Sequence, residues 1–119
     1  MARRPRTPQP HHAPTTPETI QAFVVWINEM RAAYFTKTGS SLTPDLIEAQ
    51  DPGRVNTKLV EMRDGRPASV FCFIENATGA VMKAASFASP EPKRYERGNI
   101  HKADEWSKWI EWTGPAYVN

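Results

Sequence analysis

The sequence predicts an α+β domain: an N-terminal helix packed on a three- or four-stranded antiparallel β-meander, with a short C-terminal helix. Three observations carry that prediction. Apolar side chains recur at three- and four-residue steps from Ile20 to Tyr34. Residues 55–85 then alternate or run apolar in short stretches divided by Asp64-Gly65 and by Asn76-Ala77-Thr78-Gly79. A tryptophan-bearing stretch with helical spacing follows a proline-punctuated loop.

Residues 1–14 come first, with Pro5, Pro8, Pro10 and Pro14 and almost nothing to bury. Such a segment does not offset its own ordering entropy, so it is expected to be an extended, mobile basic arm ahead of a single domain over residues 15–119. The first helix follows. Thr15 or Thr16 suits the N-cap, Pro17 the first turn, and Glu18 stands three after Thr15 as in a capping box. Ile20, Phe23, Val24, Ile27, Met30 and Tyr34 form its apolar stripe, and Val25, Trp26 and Phe35 widen it toward burial on more than one side. Gly39 with Ser40-Ser41 ends it. Thr43-Pro44-Asp45 is read as the start of a short second helix through Ile47 to Ala49, stopped by Asp51-Pro52-Gly53.

Val55 to Arg63 reads as the first strand, with Val55, Thr57 and Leu59 on one face and Val60 and Met62 on the other. Asp64-Gly65 turns it into a second strand, Ser69 to Glu75, whose apolar character on both faces suits a centre covered from two sides. Ala80 to Ala85 is the third strand. Beyond the loop Ala88 to Asn99, a helix over Ala103 to Trp112 groups Trp106, Trp109 and Ile110 on one face and turns Trp112 away. Thr113-Gly114-Pro115 breaks it, and Ala116 to Val118 is read as a short edge strand.

Composition narrows the function. The chain has 119 residues, 39% apolar and 24% charged, and one cysteine, so it is a single globular domain without an internal disulfide. No apolar run approaches the roughly 18 residues that span a bilayer, so no membrane role is expected. Cys72 sits mid-strand between Phe71 and Phe73 and reads as a small buried apolar residue. His11, His12 and His101 lack metal-ligand spacing, the six glycines form no phosphate loop, and no acid pair can be nominated for proton transfer. No catalytic residue, metal or cofactor is expected, and the chain reads as a binding protein and not an enzyme.

Charge is segregated along the chain. Residues 1–14 carry +3, residues 15–53 carry −3, residues 54–102 carry +4 and residues 103–119 carry −2, which sum to the net +2. The positive part gathers Lys83, Lys93, Arg94, Arg97 and Lys102 around Phe87 and Tyr95, and the arm adds Arg3, Arg4 and Arg6. Bases spaced along a surface with interleaved rings suit the phosphates and bases of DNA or RNA. The leading expectation is therefore nucleic-acid binding through the loop and the arm. The alternative is a protein-interaction module, a virion component or an inhibitor of a host protein, with Trp26 or Trp112 as anchor and the arm draped over a neighbouring subunit.

The stretch Ser69 to Ile100, SVFCFIENATGAVMKAASFASPEPKRYERGNI, resembles a segment of small, mostly uncharacterised proteins of tailed bacteriophages. Lys83-Ala84-Ala85-Ser86 and Arg97-Gly98-Asn99-Ile100 match that pattern, Phe87 replaces a tryptophan, and Glu91, Tyr95 and Glu96 depart from it. The resemblance covers about a quarter of the chain. It implies a phage source and hence a place in the bacterial cytoplasm or the virion. In physical terms Gly98 is expected to supply a positive φ, Asn99 to cap the following helix, and Arg97 to latch the loop.

Overall fold

The computed structural model describes residues 13–50, 52–92 and 96–115. The arm before Ala13, the loop residues Lys93, Arg94 and Tyr95, and the edge strand expected at Ala116 to Val118 lie outside the described residues. The fold is α+β, as predicted.

Helix α1 spans Pro17–Lys37. Its N-cap is Thr16, whose hydroxyl accepts from the Thr19 N–H at 3.1 Å while the Thr19 hydroxyl oxygen accepts from the Thr16 N–H at 2.9 Å. The reciprocal partner is thus Thr19 and not Glu18, because the cap lies at Thr16, one residue later than the Thr15 spacing supposes. Ile20, Phe23, Val24 and Ile27 are buried, whereas Val25 is 44% and Tyr34 39% exposed. The helix therefore buries one broad stripe and leaves its opposite face to solvent. Gly39, at φ +76°, follows its C-cap.

Five strands form one antiparallel sheet in sequence order: β1 (Ile47–Ala49), β2 (Asn56–Arg63), β3 (Arg66–Glu75), β4 (Ala80–Met82) and β5 (Gly98–Asn99). The helix expected from Thr43 to Ala49 is absent. Its last three residues are edge strand β1, because a helix this short has little stability of its own while Ile47 gains full burial and a ladder with β2. Asp64 and Gly65 both take positive φ, 52° and 76°, in the tight β2–β3 turn. In β3 a bulge at Phe71 lets the pairing step from Leu59↔Cys72 to Val60↔Val70.

The main core lies between α1 and one sheet face, where Phe23, Val24 and Ile27 meet Leu59, Cys72, Ile74 and Val81. A smaller cluster of Phe73, Ala80 and Met82, with Val70 and Ala84 against it, occupies the other face. β3 is covered on both sides, as its sequence indicates.

The expected ten-residue C-terminal helix is shorter. A 3₁₀ turn (Ala103–Glu105) leads into α2 (Trp106–Trp109), after which Ile110–Glu111 (β6) pairs with Gly114–Pro115 (β7). Gly114 at φ +136° makes that reversal. Trp106 is buried against Phe23 and Trp26 at centroid separations of 5.0 and 5.5 Å, and its indole N–H donates to the Ile100 carbonyl at 3.1 Å. No helix among the described residues is long and apolar enough to cross a membrane.

Candidate interaction surfaces

The basic set predicted to bind nucleic acid is largely engaged within the fold where it is described. Arg97 is only 5% exposed at its side chain and donates to the Glu91 carboxylate at 2.8 Å. Its guanidinium is turned into the fold and held by that carboxylate. Lys102 pairs with Glu105 at 2.9 Å, and the Lys83 ammonium donates to the Pro115 carbonyl at 3.3 Å. Lys93, Arg94, Tyr95, Arg3, Arg4 and Arg6 lie outside the described residues.

Phe87 is the exception. It stands 49% exposed, with the Lys58 ammonium 4.2 Å from its ring centroid and 5.7 Å from that of Phe73. Among the described residues Lys58 has ring faces rather than a carboxylate as neighbours. Register places Lys58 opposite Phe73 on the sheet face away from α1. The sequence gives no sign of this pairing, because Lys58 lies 29 residues before Phe87 and only the sheet brings them together.

The Arg97-Gly98-Asn99-Ile100 motif does backbone work, though not all of it as expected. Gly98 is not among the positive-φ glycines; a Cβ there would overlap the Trp109 ring. Asn99 does not cap the next helix. Its amide donates to the Thr78 carbonyl at 2.8 Å and its carbonyl oxygen accepts from the His101 N–H at 2.8 Å, so it joins two turns. His101 is half-buried, and its Nε2 donates to the Ala13 carbonyl at 2.7 Å. The Ala13 N–H reaches the Thr78 carbonyl and the Thr15 N–H the Asn76 carbonyl. The chain is therefore tied to the body from Ala13 onward.

A second surface forms at the C-terminal end of α1. Tyr34 stacks on Trp112 with ring centroids 5.1 Å apart and planes 15° from parallel, and Phe35 meets Trp112 edge-on at 5.6 Å. Tyr34 is exposed; Phe35 and Trp112 are half-buried. The corner is held from beneath by Arg31, which is 3% exposed. Its guanidinium donates to the Trp112 carbonyl, to the Asp45 carbonyl at 3.2 Å and to the Glu61 carboxylate at 2.6 Å, and lies over the Phe71 ring. Arg31 Nε has no hydrogen-bond partner among the described residues. One charged group thus ties α1, the loop before β1, β2 and the C-terminal hairpin together. Leu46, next to Asp45, is 58% exposed.

Of the two tryptophans expected as anchors, Trp112 belongs to this corner, while Trp26 packs against the core beside Trp106. The sequence does carry one signal for the hub: Arg31 falls on the apolar stripe of α1, four residues after Ile27, where a charge requires a buried partner. Cys72 is fully buried, and that burial pushes its thiol pKa up, away from the nucleophilic thiolate. Among the described residues no group of three or more His, Cys, Asp or Glu is placed to hold a metal ion.

Residues 18–118 match a family model described as a Family of unknown function (DUF7717). No curated protein and no solved structure matches the chain.

Proposed function

We propose that this chain, which belongs to the DUF7717 family, is a small accessory protein that binds another protein through the Tyr34–Phe35–Trp112 corner. The observation that carries the reading is the stack of exposed Tyr34 on half-buried Trp112, whose carbonyl is held by a buried arginine. Large rings held in one geometry lose little entropy on binding, and Tyr and Trp dominate interface hot spots for that reason. The internal engagement of Lys83, Arg97 and Lys102 supports this reading over the basic loop. The phage resemblance of residues 69–100 suits an accessory role directed at a host or virion protein.

The test is capture from bacterial host extract by the immobilised chain and by its Tyr34→Ser variant. Loss of a hot-spot residue worth about 2 kcal/mol lowers capture of the specific partner by roughly tenfold or more. Equal capture by the two proteins, with both folded by circular dichroism, defeats the reading.

One observation favours a second reading. Phe87 and Lys58 offer an exposed ring and a cation side by side, a combination suited to a stacked base and its phosphate. Filter binding at low salt tests it. Failure to retain single-stranded DNA or RNA at micromolar protein, or equal retention by Lys58→Ala, ends that alternative.

A further inference from the structure

We infer that the Tyr34–Trp112 stack seats an arginine side chain of the partner protein. The inference rests on the protein-binding reading and names the chemistry of the bound segment. Tyr34 remains 39% exposed although Trp112 stacks on it at 5.1 Å. The face of an aromatic ring is electron-rich and attracts a cation, that of Trp most strongly. This fold already uses that attraction. The Arg31 guanidinium lies 5.9 Å from the Phe71 centroid and the Lys58 ammonium 4.2 Å from that of Phe87. Among the described residues no Lys or Arg lies over Tyr34 or Trp112. Lys37 shares the last turn of α1 with Tyr34 but makes no such contact. Arg31 is committed elsewhere: it is buried, and its terminal nitrogens donate to Trp112, Asp45 and Glu61.

Charge decides the kind of partner. Tyr34 and Phe35 stand in the last turn of a 21-residue helix, where the macrodipole is negative. Asp45 and Glu61 at this corner are already paired with Arg63 and Arg31. Glu111, next to Trp112, is exposed, and its carboxylate forms no ion pair among the described residues. The helix end and Glu111 both favour a cation and repel phosphate, so the stack suits a basic protein segment and not a nucleic acid. Arginine fits better than lysine. A guanidinium is planar and weakly hydrated, so it lies flat on a ring while its edge donates to a carboxylate; an ammonium holds its water more tightly.

Titration of the full chain with a tetra-arginine peptide, blocked at both ends, tests this through the ring resonances of Tyr34 and Trp112. Both rings shift, and tetra-lysine binds more weakly. Tyr34→Leu and Glu111→Gln each lower the affinity by about two- to fivefold, the size of an exposed cation–ring or ion-pair contact, while Tyr34→Phe keeps it. Glu111 is at the surface, so its variant leaves the core intact even where Tyr34→Leu disturbs α1. Equal binding of tetra-lysine, or an affinity unchanged by both Tyr34→Leu and Glu111→Gln, overturns the inference. A poly-dT strand that moves the same resonances overturns it too. So does Arg3→Ala/Arg4→Ala/Arg6→Ala moving them without peptide, since the occupant is then the chain's own N-terminal segment. If the peptide fails while Tyr34→Ser still loses a host protein from extract, only the arginine assignment falls; equal capture by Tyr34→Ser removes the protein-binding reading itself.

Discussion

The side-chain amide of Asn28 closes both main-chain groups of Ile47: its carbonyl oxygen accepts from the Ile47 N–H at 2.9 Å and its NH₂ donates to the Ile47 carbonyl at 3.0 Å. These groups point away from β2, toward the position another strand would occupy, so one α1 residue stands in for a neighbouring strand and blunts the sheet edge. Asn28→Ala leaves both groups unpaired and is expected to lower stability by about 1–3 kcal/mol in urea unfolding. It also raises concentration-dependent aggregation. A variant as stable and as soluble as the wild type removes the edge-closing role.

Arg31→Met leaves the Glu61 carboxylate with only its longer contact to Arg63 at 3.5 Å and strands two carbonyls, and a cost of about 3 kcal/mol is expected in chemical denaturation. Adding Glu61→Leu recovers part of it, because the second substitution removes a carboxylate left with only the longer Arg63 contact. A double variant no more stable than Arg31→Met shows that the carbonyl contacts, and not the ion pair, dominate.

Gly98→Ala drives a methyl into the Trp109 ring. Overpacking of this kind costs about 1–3 kcal/mol, and tryptophan emission should shift as Trp109 is displaced. In a double-mutant cycle with Trp109→Leu, the smaller side chain makes room and the penalty shrinks. Additive penalties contradict a direct contact.

Cys72 is predicted to resist thiol reagents in the native state and to react with one equivalent on unfolding. The pH dependence has a definite sign. The free thiol ionises near 9.0 and the folded one higher, so above about pH 9 the unfolded chain sheds a proton that the folded chain keeps. The thiol's contribution is complete below that pH and declines as pH rises, by up to about 1.4 kcal/mol per unit. Cys72→Ala flattens that limb of the stability curve; an unchanged limb assigns the decline to other groups.

What could be read from the sequence was set by the range of the interactions. Helix α1 and the Asp64-Gly65 hairpin were legible because cap, stripe and turn are encoded within a few residues. The strand identity of Ile47–Ala49 was not, because β2 and Asn28 decide it from a distance and the local Thr43-Pro44 signal points to a helix. The requirement for glycine at position 98 is hidden for the same reason: it comes from Trp109, eleven residues on, and not from its own backbone. The two surfaces follow this pattern. The aromatic content was visible, but the partnership of Tyr34 with Trp112, and of Lys58 with Phe87, exists only once the sheet has set the register.

Arg31 and the Trp112 carbonyl are separated by 81 positions along the chain. During synthesis the guanidinium is therefore made long before its C-terminal acceptor leaves the ribosomal tunnel. Until then α1 carries a cation on its apolar stripe without its full set of acceptors, and the nascent domain is held short of its final packing. Completion of the native state therefore waits on the emergence of Trp112, and premature termination before Trp112 yields a product poorly able to seal its own interior.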